Sequence, residues 1–145
     1  MALTIRAAQP GDIESIYQFV CELQNRVFDK ASIAEIYAVN LADPMNIYLV
    51  AEASNQKIGY ASCHLQWLLH HEGKVAEIQE MFVLPEWRSQ GVGKMLIESI
   101  KQKAKELGAV QLEVTTRLIR EKAINFYKRE HFEDSHKKLV FHLKN

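Results

Sequence analysis

The stretch Met81-Phe82-Val83-Leu84-Pro85-Glu86-Trp87-Arg88-Ser89-Gln90-Gly91-Val92-Gly93-Lys94 decides how this chain is read. A short apolar run stops at Pro85, and a second apolar pattern begins at Val92, recurring at Leu96, Ile100 and Ala104. Helical spacing starts there, so a strand leads through a turn at Arg88–Gly91 into a helix over 92–107, with Gly108 suited to its left-handed C-cap. A strand, a glycine-bearing turn and a helix N-terminus make an anion site. Glycine lets the backbone approach a ligand closely, unpaired N–H groups point outward, and the helix dipole adds partial positive charge. Arg88 and Lys94 add full charges. The spacing matches neither the three-glycine dinucleotide fingerprint nor the P-loop with its Gly-Lys-Ser/Thr.

Upstream of this unit, residues 47–53, 57–69 and 74–84 read as strands, separated by Ser54-Asn55-Gln56 and by the polar turn at Glu72-Gly73. Connections this short predict an antiparallel meander. Residues 4–7 form a first strand, followed by a helix with Asp12 near its N-cap and Ile13, Ile16, Tyr17, Val20 and Leu23 at helical spacing. A second helix has Ser32 as its cap and Glu35 completing a capping box. It carries Ile33, Ile36, Tyr37 and Leu41 on its apolar face and ends before Asp43-Pro44. Downstream, a strand over 110–115, a helix over 121–130 and a closing strand over 137–143 complete the order β-α-α-β-β-β-α-β-α-β. The expectation is an α/β domain over 1–145, with a single mixed, mostly antiparallel sheet and helices on both faces.

Composition bounds the partners. The chain of 145 residues is 48% hydrophobic and 25% charged, ordinary for a globular protein, and 18 basic residues balance 18 acidic ones. With no net excess of charge, no whole-chain field draws in nucleic acid, and a small molecule is the expected partner. Residues 1–6 lack the pattern of a signal peptide, and no apolar run approaches the roughly 18 residues that span a bilayer. No membrane and a cytoplasmic location are therefore expected. Cys21 and Cys63 have neither metal-binding nor redox spacing and read as small core residues, and no three-ligand spacing suggests a resident metal.

The unit from Ala76 to Gly93, with its Arg88-Ser89-Gln90-Gly91-Val92-Gly93 turn, resembles motif A of the GNAT N-acetyltransferases. Downstream, Ala123-Ile124-Asn125-Phe126-Tyr127-Lys128-Arg129-Glu130-His131-Phe132 resembles motif B. The resemblance implies that acetyl-CoA is the cosubstrate, its pyrophosphate held by Arg88, Ser89 and the backbone N–H groups of Gln90, Gly91, Val92, Gly93 and Lys94. It also implies that the motif A strand splays from its neighbour and that Met81, Phe82 and Val83 offer an edge to the pantetheine arm. Two positions depart from the pattern. Arg120 stands seven residues before Tyr127, where many relatives carry a coenzyme-binding Asn, and His131 replaces the Gly that usually precedes the Phe.

Acetyl transfer to an alkylamine needs a base, because such an amine has a pKa of about 10 and is protonated at neutrality. Glu77, in an Ala-Glu-Ile context similar to that of the general base in histone-acetylating relatives, is the first candidate. Glu80 is the second, since strand alternation sends it to the opposite side unless a bulge intervenes. A backbone N–H at Phe82 or Val83 is the expected oxyanion donor, and Tyr127 is the expected acid, since it matches the motif B tyrosine that donates to the leaving sulfur.

Further segments, among them Asn40-Leu41-x-Asp43-Pro44, His64-Leu65-Gln66, Leu69-His70-His71 and Glu77-Ile78-Gln79-Glu80, look like the bacterial aminoalkylphosphonate N-acetyltransferases. That resemblance implies a small aminoalkylphosphonate acceptor and an association with divalent cations, which can arrive with the phosphonate. The residues expected to meet the acceptor are His64, Gln66, His70, Arg117 and Arg120. His64 and His70 have the same strand parity, and His71 the opposite one. Another small amine, a protein amine, or acyl-CoA binding without chemistry are the alternative readings. A homodimer is left open.

Overall fold

The computed structural model describes residues 2–144. In chain order the elements are β1 (Leu3–Ala7), α1 (Ile13–Gln24), α2 (Lys30–Ala42), β2 (Asn46–Ala53), β3 (Gln56–Leu68), β4 (Gly73–Val83), α3 (Val92–Glu106), β5 (Ala109–Val114) and α4 (Glu121–Arg129). Short 3-10 turns stand at Pro10–Asp12, Leu69–His71 and Pro85–Trp87. The sheet order is β1-β2-β3-β4-β5. The first four strands pair antiparallel, whereas β5, reached through the crossover helix α3, pairs parallel to β4.

Alternation along the central strands divides the side chains between two cores. Leu49, Ala51, Ile58, Ala61, Cys63 and Ile78 pack under Leu96, Ile97 and Ile100 of α3 and Tyr127 of α4. Tyr48, Val50, Tyr60 and Phe82 face the other way, against Ile16 and Phe19 of α1 and Tyr37 of α2. Each fully buried Leu or Ile stabilises this arrangement by about 1.5–3 kcal/mol relative to exposure. At the N-terminal corner, the buried Asp12 carboxylate accepts from Arg6 Nη1 and Nη2 at 2.8 and 2.9 Å and from the Gln9 N–H at 2.7 Å, with Lys57 Nζ 2.9 Å away. The Arg6 hydrogen bonds, with help from Lys57, hold Asp12 well below the usual carboxylate range.

Three expectations are corrected. The cap of α2 is Asp29, not Ser32: its carboxylate accepts the Ser32 N–H at 3.0 Å and the Ser32 hydroxyl at 2.7 Å, so Ser32 lies inside the first turn. Ile36, expected on the apolar face of that helix, is 55% exposed, because Tyr37 takes the inward position. No strand forms over 137–143. Among the described residues, none beyond Val114 joins the sheet, and residues 133–144 are exposed.

Candidate active site

Strand β4 has two unlike halves. From Lys74 to Ile78 it is flanked by β3 on one side and by β5 on the other. From Gln79 to Val83 only β3 remains, and the edge towards β5 is open. The Glu80 N–H donates to Ser62 Oγ at 3.1 Å and the Leu84 N–H to the Ile58 carbonyl at 2.8 Å, both towards β3. Alternation then turns Phe82 to β3 as well and leaves the backbone groups of Met81 and Val83 on the open edge. Phe82 is thereby removed as an edge or oxyanion donor. Its side chain stacks on Phe19 at 5.3 Å in the second core. The Val83 carbonyl accepts from Arg88 Nε at 2.8 Å, and the Arg88 guanidinium lies 5.3 Å from the Phe82 ring centroid, so this arginine folds back onto the edge.

The register of β3 and β4 slips at this boundary. Ser62 pairs with Glu80 and Cys63 with Ile78, so Gln79 is an extra residue in a bulge. The bulge resets the parity and brings Glu77 and Glu80 to one face, together with Ser62 and His64. Glu80 Oε1 accepts from the Tyr60 hydroxyl at 3.1 Å and from the Ser62 hydroxyl, both buried. This carboxylate is locked through one oxygen. Glu77 is half-buried, and its Oε2 accepts from Thr115 Oγ1 at 3.0 Å, just past the end of the β4–β5 pairing.

On the same face, the Asn40 side chain donates to the Tyr48 hydroxyl at 3.0 Å, and that hydroxyl lies 2.8 Å from His64 Nε2. The Tyr48 hydroxyl, with one donor and two acceptor positions, joins Asn40 and His64 in one chain and fixes the orientation of the imidazole ring. Burial pushes the Tyr48 phenol up to about 12 and Tyr60 well above its ordinary value, so both remain donors at neutral pH. Asn40, Tyr48, Tyr60 and Ser62 were not anticipated. Once the bulge is known, even parity from His64 through Ser62 to Tyr60 would have found two of them.

The turn before α3 contains two left-handed residues, Ser89 at φ 63° and Gly91 at φ 85°. No side chain caps α3, and the first helical bond runs from the Met95 N–H to the Gly91 carbonyl at 3.0 Å. The N–H groups of Val92, Gly93 and Lys94 thus precede the helical ladder. Gly93 serves packing: a Cβ there would stand 3.2 Å from Phe126 Cζ and 3.9 Å from Met81 Cε. The first turn of α3 and the open edge of β4 therefore meet under α4. Tyr127, next on α4, is buried between Phe126 and Phe132, with ring centroids 5.2 and 5.5 Å away. Burial pushes its phenol up to about 12, with Arg120 opposing. Ser89, Gln90 and Lys94 are exposed, and Gln90 Nε2 donates to the Glu86 carbonyl at 3.0 Å.

The other anticipated acceptor contacts are dispersed. Gln66 is exposed farther along β3. His70 does not share a strand face with His64, because β3 ends at Leu68 and His70 lies in the 3-10 turn with its ring 4.4 Å from that of His71. Arg117 is exposed in the loop before α4, whereas Arg120 Nη2 donates to the Leu23 carbonyl at 2.9 Å and ties that loop to the end of α1. Cys63 is buried in the α3-side core, and burial pushes its thiol up to about 12, which suits a core residue rather than a nucleophile. Among the described residues, no group of three or more His, Cys, Asp or Glu side chains could hold a metal ion.

A family model described as the Acetyltransferase (GNAT) family matches residues 13–132. The chain belongs to this family. This GNAT protein is 36% identical, over 91% of its length and 86% of the relative's, to an aminoalkylphosphonate N-acetyltransferase of Salmonella typhimurium. It is 26% identical, over 88% of its length and 82% of the relative's, to a thialysine N-epsilon-acetyltransferase of Sus scrofa. Its fold matches that of an aminoglycoside N-acetyltransferase solved in complex with CoA, at a TM-score of 0.86 and 18% identity over 99% of this chain and 95% of that one. The GNAT chain is an N-acetyltransferase that uses acetyl-CoA as cosubstrate and a small-molecule amine as acceptor. Among the described residues, no helix is long and apolar enough to cross a membrane.

Proposed function

We propose that this enzyme acetylates the primary amine of a small aminoalkylphosphonate by direct transfer within a ternary complex. The observation that carries the mechanism is the bulge at Gln79, which sets two carboxylates side by side next to the open half of β4. The phosphonate assignment rests on the 36% identity to the Salmonella enzyme over 91% of this chain. Acetyl-CoA supplies an activated acetyl thioester. The N–H groups of Val92, Gly93 and Lys94 take its pyrophosphate, and Met81 and Val83 face its pantetheine arm, Arg88 leaving the Val83 carbonyl as they do so. The Met81 or Val83 N–H serves as the oxyanion donor.

Glu80, held by Tyr60 and Ser62, keeps its Oε2 for the substrate ammonium. Glu77, at the fork between β4 and β5, takes one proton from the ammonium and passes it to water before attack. The second proton leaves nitrogen as the tetrahedral adduct collapses and reaches the sulfur through water, so the products are the amide, the free thiol and one released proton. The new bond joins the amine nitrogen to the acetyl carbon, and the carbon–sulfur bond breaks. Tyr127 faces the leaving sulfur as a hydrogen-bond donor rather than as a full acid. A phenol at about 12 cannot fully protonate a thiolate of ordinary pKa near 8.5 except uphill by about 5 kcal/mol. The His64 ring and the exposed Arg117 are suited to phosphonate oxygens, and Arg120 gives one of its N–H groups to the Leu23 carbonyl. The described residues do not fit a resident divalent ion, so no step is routed through one.

Thiol release measured over aminoalkylphosphonates, polyamines, amino acids and peptides tests this reading. The expected result is the highest kcat/KM for aminomethylphosphonate and its short homologues, with Arg117→Ala raising KM for the phosphonate but not for a neutral amine. Efficient turnover of polyamines or peptides without turnover of phosphonates, with and without added Mg2+, would reject the substrate and leave the acetyltransferase standing.

A further inference from the structure

The sheet face that carries the two carboxylates is built in rows. Tyr48, Ser62 and Glu80 stand opposite one another on β2, β3 and β4, and Asn46, His64 and Glu77 form the next row, two residues farther along. Glu80 is held by hydroxyls of this face. His64 takes its partner from the neighbouring row: the Tyr48 phenol crosses diagonally and lies 2.8 Å from Nε2, within the reach of a long aromatic side chain.

Behind Tyr48 stands Asn40, in the last turn of α2. Its side-chain amide donates to the phenol at 3.0 Å, and its main-chain carbonyl accepts from Asn46 Nδ2 at 3.0 Å, so Asn40 is fastened to β2 twice. A hydrogen-bonded chain therefore runs from α2 to the imidazole. Packing alone does not call for it. The Tyr48 ring is buried among those of Tyr37, Tyr60 and His64, with centroids 5.8, 6.2 and 5.7 Å away, and a phenylalanine would fill that place as well. What the hydroxyl adds is a fixed imidazole. His64 is half-buried, its Nε2 is engaged, and among the described residues Nδ1 has no partner. A ring held at one nitrogen presents the other in a set direction, here on the face shared with Glu77 and Glu80. Burial pushes the Tyr48 phenol up to about 12, so it stays neutral and brings no negative charge beside an acidic acceptor.

We propose that Tyr48 and Asn40 are positioning residues that set acceptor specificity: they aim His64 Nδ1 at the acidic group of the acceptor, one row away from the Glu80 carboxylate that holds its ammonium. The inference rests on the reading of the acceptor as an aminoalkylphosphonate. Acting through His64, neither residue enters the transfer step, so the effect falls on KM for the acidic amine rather than on kcat.

Steady-state rates of Tyr48→Phe, Asn40→Leu and His64→Ala test this with two amines, aminomethylphosphonate and neopentylamine, which carries methyl groups in place of the phosphonate oxygens. Tyr48→Phe should raise KM for aminomethylphosphonate about tenfold, the worth of one well-placed hydrogen bond, with a much smaller change in kcat and none in KM for neopentylamine. Asn40→Leu should act in the same direction by a smaller factor. Added to His64→Ala, Tyr48→Phe should change nothing further, because the hydroxyl works only through that ring. Unchanged KM values, equal changes for both amines, or a Tyr48→Phe effect that persists beside His64→Ala would overturn the inference, while a wild type that prefers the phosphonate keeps the substrate reading. A wild type without that preference would overturn both.

Discussion

The first and second halves of β4 differ in what surrounds the same kind of backbone. Lys74 to Ile78 is hydrogen-bonded on both sides and packs Ala76 and Ile78 into the core, so every main-chain group there is committed to the fold. Gln79 to Val83 has one committed side, and its free side lies beside an uncapped helix start and two carboxylates. The difference comes from a single extra residue and the early end of β5. The closed half anchors the sheet, and the proposed chemistry gathers where the strand opens, between Glu77 near the end of the closed half and Glu80 in the open one.

Substitutions can pull the two apart. The largest effect belongs to Glu77→Gln, which keeps the size and a hydrogen bond to Thr115 but removes the base. Turnover should fall about 100-fold near neutrality, with a smaller loss at high pH where free amine is present, and CoA affinity by calorimetry should hold. If Glu80→Gln shows that pattern instead of a raised KM, the two carboxylates exchange roles. Asp12→Asn should do the reverse, lowering stability by about 2–3 kcal/mol in urea titration at pH 7 while leaving kcat within about twofold. Because the Asp12 pKa is depressed in the fold, its contribution is full above the unfolded value of about 3.9 and is lost as the pH falls through the folded one. The stability difference between wild type and variant should therefore shrink in acid.

Tyr127→Phe should cost about tenfold in kcat, and the ratio to wild type should stay flat from pH 6 to 9, since a phenol pushed up to about 12 is protonated throughout. A ratio that changes across this range would contradict the donor role. The smallest effect is expected at His131, which occupies a left-handed position at φ 73° just past α4. His131→Gly should raise stability by about 0.5–1 kcal/mol, read as a higher urea midpoint, without changing turnover.

Much of this contrast was legible in the sequence. The hydrophobic periods located every strand of the sheet to within a residue and every helix, with only the start of α2 misplaced, by three residues, because those patterns record which face is buried. Motif A placed the turn and motif B the last helix, whereas the left-handed backbone at His131, where the family pattern has Gly, appears only in the structure. What could not be read depended on register. Alternation from Val83 places Glu80 opposite Glu77, and only the pairing of Ser62 with Glu80 exposes the bulge. The clamp by Tyr60 and Ser62 and the Asn40–Tyr48–His64 chain follow from that register and join residues far apart in sequence. Arg120, read as an anion contact, also gives one N–H to the Leu23 carbonyl, a contact across 97 positions that no local pattern announces. The strand expected over 137–143 has the right composition, but a strand exists only where an edge receives it.

The most direct test of the open half is amide exchange followed by NMR, with and without CoA. The account predicts that the Met81 and Val83 N–H groups exchange fast in the free enzyme and slow strongly once CoA is bound, while amides from Lys74 to Ile78 are slow in both states. Met81 and Val83 amides that exchange equally fast with and without CoA would contradict it.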